Sequence, residues 1–107
     1  DDYVVDKTRY SAFTPSTCDF PAWLEENGIE TVIITGTLSN CCCESTARDA
    51  MQYGYDVIYV TDANATLTDA EHQATLFNMG TLFAELADTG TLVEALSAEA
   101  KPLAQAG

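Results

Sequence analysis

The stretch IETVIITGTLSNCCCESTARDA, residues 29–50, decides the fold class of this chain. Its first half is a continuous Val-Ile-Ile run that ends at Gly36, which is typical of a strand buried on both faces of a sheet. Its second half has the spacing of a helix, with Ser39 or Asn40 placed to cap its first turn. The stretch therefore predicts a strand, a short turn and a helix, in that order.

The same alternation of strands and helices extends along the rest of the chain. The apolar segment at 3–7 predicts a buried strand that runs into a polar loop, and a brief helix follows Asp19. A further strand is predicted at 56–63, and a long helix begins near Thr68. Such alternation builds a parallel sheet with right-handed crossovers. We predict a three-layer α/β/α fold with a mostly parallel sheet, in a single domain over residues 1–107.

Composition restricts the partners and the compartment. The chain has 17 acidic and 4 basic residues, a net charge of -13, and such a surface repels nucleic acid and anionic lipid headgroups. The sequence shows neither the long apolar run of a membrane span nor the pattern of a signal peptide. Four cysteines in this context indicate a reducing compartment, so we predict a cytoplasmic location.

Three contiguous cysteines, Cys41, Cys42 and Cys43, allow several interpretations. Successive helical residues turn by about 100°, so the three thiols cannot close on one ion, and we predict no metal and no cofactor. Burial as small apolar residues suits Cys43 and Cys18. Cys42 falls in the first helical turn, where free N–H groups stabilise a thiolate. The residues alone leave nucleophile and buried thiol open for Cys42, and a redox thiol protein is a further alternative.

A resemblance favours the nucleophile. VVDKTRYSAF, followed by GIETVIITGTLSNCCCESTARDAMQYGYDVIYVTDANATLTDAEHQATL, resembles the cysteine hydrolases of the isochorismatase-like superfamily, and most of all the branch of ureidoacrylate amidohydrolase and biuret hydrolase. The specific centre is a strand ending in Thr-Gly, then Thr or Ser, then Cys six residues after the Gly, then T-A-x-D-A. The resemblance covers roughly residues 3–96. It implies hydrolysis of a C–N bond in a small amide, ureido or carbamoyl compound through a thioester.

The resemblance also implies a set of catalytic residues. The nucleophile falls on Cys42 and the catalytic lysine on Lys7. The family has a cis peptide that here joins Thr37 to Leu38, which leaves the N–H groups of Leu38 and Cys42 as the oxyanion hole. These roles follow from the family and from no local pattern.

Other side chains are candidates for substrate binding. We predict that Tyr10 and Phe13 line an apolar pocket wall, with covering of the core as their alternative. Asn40 is either a substrate donor or a helix cap, and capping is the favoured role. We expect His72, the only histidine, in packing or a subunit contact rather than in chemistry.

The chain departs from the family at its beginning. Members have an earlier strand, an aspartate that serves the cysteine as base, and a helix before the lysine strand. Asp1, Asp2 and Asp6 do not stand in that motif, so none of them takes the aspartate's role. We therefore expect an incomplete domain, without the N-terminal strand and helix, that is completed by a preceding segment, another chain or homo-oligomer formation. A non-catalytic module with this fold is the alternative.

Overall fold

The computed structural model describes residues 2–106, with side chains through residue 98. Within this range the elements are α1 (Phe20–Glu26), β1 (Thr31–Thr37), a π-helical segment at Ser39–Cys43, α2 (Glu44–Gln52), β2 (Asp56–Ala65), α3 (Asp69–Asn78), a second π-helical segment at Met79–Phe83, β3 (Glu85–Ala87) and α4 (Thr89–Ala106). We call Ser39–Cys43 the cysteine segment. No helix in the described range has both the length and the apolar character that crossing a lipid bilayer requires.

The strands form one parallel sheet in the order β1-β2-β3. Helices connect consecutive strands, so the predicted α/β fold with a parallel sheet is confirmed. The main core lies between this sheet and the helices and buries Leu24, Val32, Ala47, Tyr59 and Met79. These residues come from α1, β1, α2, β2 and the second π-helical segment, so the core joins the elements on either side of the cysteine segment.

The predicted strand at 3–7 is wrong. Residues 2–7 belong to no strand or helix, and Val4 is 84% exposed. Tyr3 stacks on Trp23 of α1, with ring centroids 4.8 Å apart. A strand is stabilised by hydrogen bonds to a neighbour, and among the described residues β1 pairs with β2 alone. Tyr3 therefore packs on a helix, whereas Val4 of the same segment stays exposed.

The predicted burial of β1 on both faces is wrong for one face. Val32 lies in the core, whereas Ile33, which points to the opposite face, is 41% exposed. Thr31 and Thr35 share the face of Ile33 and are also exposed. Within the described range, no element covers this face of β1.

Helix ends at α1 and α3 follow their sequence signals. Thr68 caps α3, because its Oγ1 accepts a hydrogen bond of 3.2 Å from the N–H of Glu71. Helix α1 has Pro21 in its first turn and is followed by Gly28, whose φ is 64°. The predicted beginning of α3 near Thr68 is confirmed.

A change of register between β1 and β2 lies just before the site. Ile34 pairs with Tyr59, but the next pair is Gly36 with Asn64, so β2 contributes extra residues. The buried Asn64 side chain bridges the irregularity: its Nδ2 donates to the carbonyls of Ile34 (2.9 Å) and Val60 (2.7 Å). Its amide supplies hydrogen bonds that a regular ladder would have provided.

Replacing Asn64 with alanine is expected to destabilise the fold by about 2–3 kcal/mol, because the buried Val60 carbonyl and the partly buried Ile34 carbonyl lose their donor. The measurement is the free energy of unfolding from urea titration. Asn27→Ala is the matched control, since its Nδ2 also donates to a carbonyl, that of Trp23, but at an exposed helix end. A loss at Asn64 no larger than that at Asn27 would contradict the bridging role.

Candidate active site

The carboxyl end of β1 opens into a cleft of about 200 Å³. Its walls are formed by Lys7, Ile34, Thr35, Gly36, Thr37, Cys42, Cys43 and Thr46. The structure thus brings Lys7 and Cys42, which are distant in sequence, to one cleft. Ligand sites in open parallel sheets lie outside the carboxyl ends of the strands, which is where this cleft is found.

A sharp change of direction joins β1 to the cysteine segment. Gly36 has a φ of 127°, which side chains of L-residues rarely tolerate, so glycine is required at this position. The peptide bond between Thr37 and Leu38 is cis, as the resemblance implies. The segment with Cys42 begins directly after this bond.

The backbone of Leu38 organises the cysteine segment. Its carbonyl accepts hydrogen bonds from the N–H groups of Cys41 (3.1 Å) and Cys43 (3.2 Å). Within residues 2–106, the N–H of Leu38 donates to no acceptor, and that of Cys42 donates to none outside the segment's own helical turn. Both amides proposed for the oxyanion hole therefore belong to one tight turn.

The expected side-chain cap at Ser39 or Asn40 is wrong. Leu38 occupies the N-cap position and no side chain caps the segment, because the Leu38 carbonyl starts its hydrogen bonding. Asn40 is exposed, and its Oδ1 accepts from Thr66 Oγ1 at 2.7 Å. Asn40 thus connects the cysteine segment to the loop after β2, and it does not line the Cys42 cleft.

The three adjacent thiols have different surroundings. Cys43 is buried, and burial, reinforced by the neighbouring Cys42, raises the pKa of its thiol to about 11. Partial burial also raises the pKa of Cys41, again with a contribution from Cys42. Cys42 is half-buried and lines the cleft. Cys43 and Cys41 are therefore held as thiols at neutral pH.

Lys7 is exposed at the mouth of the cleft. Its Nζ donates to the carbonyl of Arg9 at 2.9 Å. Burial raises the pKa of both Cys41 and Cys43, and the positive charge of Lys7 offsets only part of that rise. Tyr10, 66% exposed, shares a neighbouring hollow of about 560 Å³ with Lys7. Tyr10 therefore lies next to the Cys42 cleft and not in its wall.

Phe13, predicted to line the substrate pocket, lies in the core. It is 4% exposed and its ring centroid lies 5.8 Å from that of Phe20 and 5.6 Å from that of Tyr53. It also lines a separate groove of about 630 Å³ between α1 and the loop after Lys7, which does not include Cys42. Phe13 therefore has the alternative role, covering the core, because neighbouring aromatic rings enclose it.

The loop after Lys7 is anchored to α2. Ser11 Oγ donates to Asp49 Oδ2 at 2.6 Å, and the N–H of Ala12 donates to Thr46 Oγ1 at 3.1 Å. Thr46 also lines the Cys42 cleft, so one helix positions both the thiol and the loop that follows the lysine. Spacing in the sequence gives no signal for these contacts, which join residues far apart in the chain.

A second set of contacts links the cysteine segment to α3. The Oγ of Ser39 lies 2.7 Å from His72 Nδ1, and Thr75 Oγ1 donates to Glu44 Oε1 at 2.8 Å. Tyr59, whose pKa burial raises far above its ordinary value, donates its hydroxyl to the Ser39 carbonyl at 2.7 Å. The only indication of these contacts in the sequence was that the single histidine falls in the first half of a predicted helix.

Lys7 is the one charged side chain of the described residues that lines the cleft. Arg48 pairs with Glu44 on α2 at 2.8 Å. No carboxyl group of the described residues lines the cleft. Over the same residues, His, Cys, Asp and Glu side chains form no group of three or more that is close enough to hold a metal ion. The chemistry that these residues support is therefore that of a thiol, an ammonium group and backbone amides.

Comparison with known proteins gives the same architecture. The sequence model of the isochorismatase domain family matches residues 1–91 of this chain. An isochorismatase-like hydrolase from Alkaliphilus metalliredigens superposes with a TM-score of 0.84 at 34% identity, over 90% of this chain and 52% of that one. A cysteine hydrolase from Pseudomonas syringae gives a TM-score of 0.85 at 30% identity, over 92% of this chain and 50% of that one.

Curated relatives are similar over most of this chain. Nicotinamidase 3 of Arabidopsis thaliana is 41% identical over 95 residues, which is 89% of this chain and 47% of the relative. A ureidoacrylate amidohydrolase of Klebsiella pneumoniae is 39% identical over 106 residues, 98% of this chain and 44% of the relative. The chain thus spans about half the length of these relatives. On the domain match and these similarities, the chain belongs to the isochorismatase family.

Proposed function

We propose that this chain provides the thiol side of a cysteine amidohydrolase site, which cleaves a C–N bond in a small amide, ureido or carbamoyl compound. The observation that carries the proposal is the presence of Cys42 and Lys7 in one cleft at the carboxyl end of β1. The relatives named as a nicotinamidase and a ureidoacrylate amidohydrolase support a reaction at an amide or ureido carbonyl.

Cys42 is the nucleophile in this proposal. The competing thiol in the cleft wall, Cys43, is buried with a pKa of about 11, so at pH 8 only about one thousandth of it is thiolate. Cys41 does not line the cleft. Cys42 combines partial exposure, a position three residues after the beginning of the helical segment and access to the cleft.

The reaction proceeds by acyl transfer. Cys42 Sγ forms a bond to the carbonyl carbon, and the carbonyl oxygen takes the negative charge between the N–H groups of Leu38 and Cys42. The C–N bond then breaks, and the nitrogen leaves as ammonia or an amine after it accepts a proton. Water attacks the resulting thioester, which releases the acid and restores the thiol.

A carboxyl group is needed to carry the proton from the thiol to the leaving nitrogen. The described residues place none in the cleft, so the proposal assigns this group to another segment or another copy of the chain. Lys7 stabilises the anionic forms of both the thiol and that carboxyl group and orients them. The substrate is a small molecule, because a net charge of -13 disfavours nucleic acid and anionic membranes. Four free thiols suit a reducing compartment such as the cytoplasm.

The test is ammonia release from a panel of ureidoacrylate, biuret and nicotinamide, combined with mass spectrometry of the protein quenched with acid during turnover. We expect release from at least one compound and an acyl adduct on the peptide with Cys42. Prior treatment with iodoacetamide should block both signals. Ammonia release that survives complete alkylation of Cys42 would contradict the proposal.

A further inference from the structure

Helix α3 holds the nucleophile-bearing region at two points, one on each side of Cys42. His72 contacts Ser39, the first residue of the cysteine segment, at 2.7 Å. Thr75 donates to Glu44, the residue directly after the segment, at 2.8 Å. Because His72 and Thr75 lie one turn apart, they share one face of α3. This face therefore spans the segment from end to end.

The hydrogen bonds of His72 fix its orientation. Nε2 lies 2.9 Å from the carbonyl oxygen of Thr61, which can only accept, so Nε2 carries a hydrogen. In the neutral ring Nδ1 is then an acceptor, and the Ser39 hydroxyl donates to it. The Thr61 carbonyl of β2 thus aligns the imidazole, and the imidazole aligns Ser39.

Ser39 has little freedom to move. It is 0% exposed, its side chain contacts His72, and its carbonyl accepts from the Tyr59 hydroxyl at 2.7 Å. Ser39 directly follows Leu38 and lies less than one helical turn before Cys42. A displacement of Ser39 therefore moves both the proposed oxyanion-hole amide of Leu38 and the thiol of Cys42.

We propose that His72 is a positioning residue for Cys42 and acts through the Ser39 hydroxyl; this inference rests on the proposed function for the role of Cys42. Thr75 is the weaker of the two contacts, since the Glu44 carboxylate is also held by Arg48 at 2.8 Å. The contact between His72 and Ser39 has no second partner of this kind, because the Ser39 hydroxyl is completely buried and His72 is its partner. Reactive groups displaced by about 1 Å lose roughly 10²-fold in rate, so a small shift of the segment has a measurable effect.

The two amide substitutions of His72 separate positioning from packing. In His72→Asn the side-chain oxygen stands near the place of Nδ1 and accepts from Ser39, whereas the contact with Thr61 is lost. In His72→Gln the terminal NH₂ stands near the place of Nε2 and donates to Thr61, whereas the acceptor for Ser39 is lost. The readout is the rate of carboxamidomethylation of Cys42 by iodoacetamide, resolved from the other cysteines by mass spectrometry.

We expect His72→Gln to slow alkylation of Cys42 by about tenfold and His72→Asn to stay within about threefold of the wild type. Ser39→Ala removes the same hydrogen bond without altering α3, and it should match His72→Gln. Adding His72→Gln to Ser39→Ala should then slow the reaction no further. Equal slowing by the asparagine and glutamine variants, or an unchanged rate in both His72→Gln and Ser39→Ala, would overturn the proposal.

Thr68→Ala is the control for a general weakening of α3, because it removes the helix cap and leaves both contacts with the cysteine segment in place. It should lower the melting temperature without changing the alkylation rate of Cys42. A slowing equal to that of His72→Gln would overturn the specific role of His72. The alkylation series needs no substrate, so it stays informative if the hydrolysis assays fail and the proposed function falls.

Discussion

Cys42→Ala is expected to lower kcat/KM by about 10⁴-fold or more for the compound identified from the panel. In the proposed mechanism the Cys42 thiol is the nucleophile, so without Sγ the thioester intermediate cannot form. Substrate binding should change much less, because the other residues of the cleft remain.

Cys41→Ala is the matched control for this loss. It removes the adjacent half-buried thiol, which does not line the cleft, and should keep activity within about threefold. Ammonia release under steady-state conditions checks both variants, with circular dichroism to confirm that each is folded. The assignment of Cys42 would be contradicted if Cys42→Ala retained hydrolysis, or if Cys41→Ala lost as much activity as Cys42→Ala.

The second large effect is expected at Lys7. Lys7→Ala should lower kcat/KM by about 10²-fold or more, because in the proposed mechanism its cation stabilises the anionic thiol and the carboxylate that serves it. The loss should fall mainly on kcat, since the charge acts on groups that ionise during the reaction.

Arg9→Ala provides the control of equal charge. Arg9 lies in the same loop, contacts the Thr8 carbonyl at 2.8 Å and does not line the Cys42 cleft. Its loss should change kcat/KM by less than about threefold, which is the scale of a screened surface charge. Equal losses at Lys7 and Arg9 would show that only the net charge of the loop matters.

The sequence predicted the parts of this structure that depend on local chemistry. Gly36 lies one residue before the end of β1 at a backbone angle that favours glycine, and Thr68 caps α3 because its hydroxyl reaches the first turn. The resemblance placed Lys7 and Cys42 in one site, and the cleft contains both, although Lys7 does not end a strand.

Features that depend on distant neighbours were missed. The apolar segment at 3–7 has the composition of a strand, but pairing needs a neighbour, and its Tyr3 stacks on α1 instead. Ser39 and Asn40 have the residue types of helix caps, but their side chains are bound by His72 and Thr66. Neither partner can be deduced from spacing, because the contacts form only when α3 and the loop after β2 pack beside the cysteine segment.

The stacking of Tyr3 on Trp23 gives the protein an optical label at a useful place. Trp23 is the single tryptophan of the chain, so the intrinsic fluorescence excited at the red edge of absorption arises from one indole. That indole touches the segment that leads directly into Lys7. Its emission therefore reports whether the segment is docked on α1, and Tyr3→Ala supplies the reference spectrum of an indole without its stacking partner.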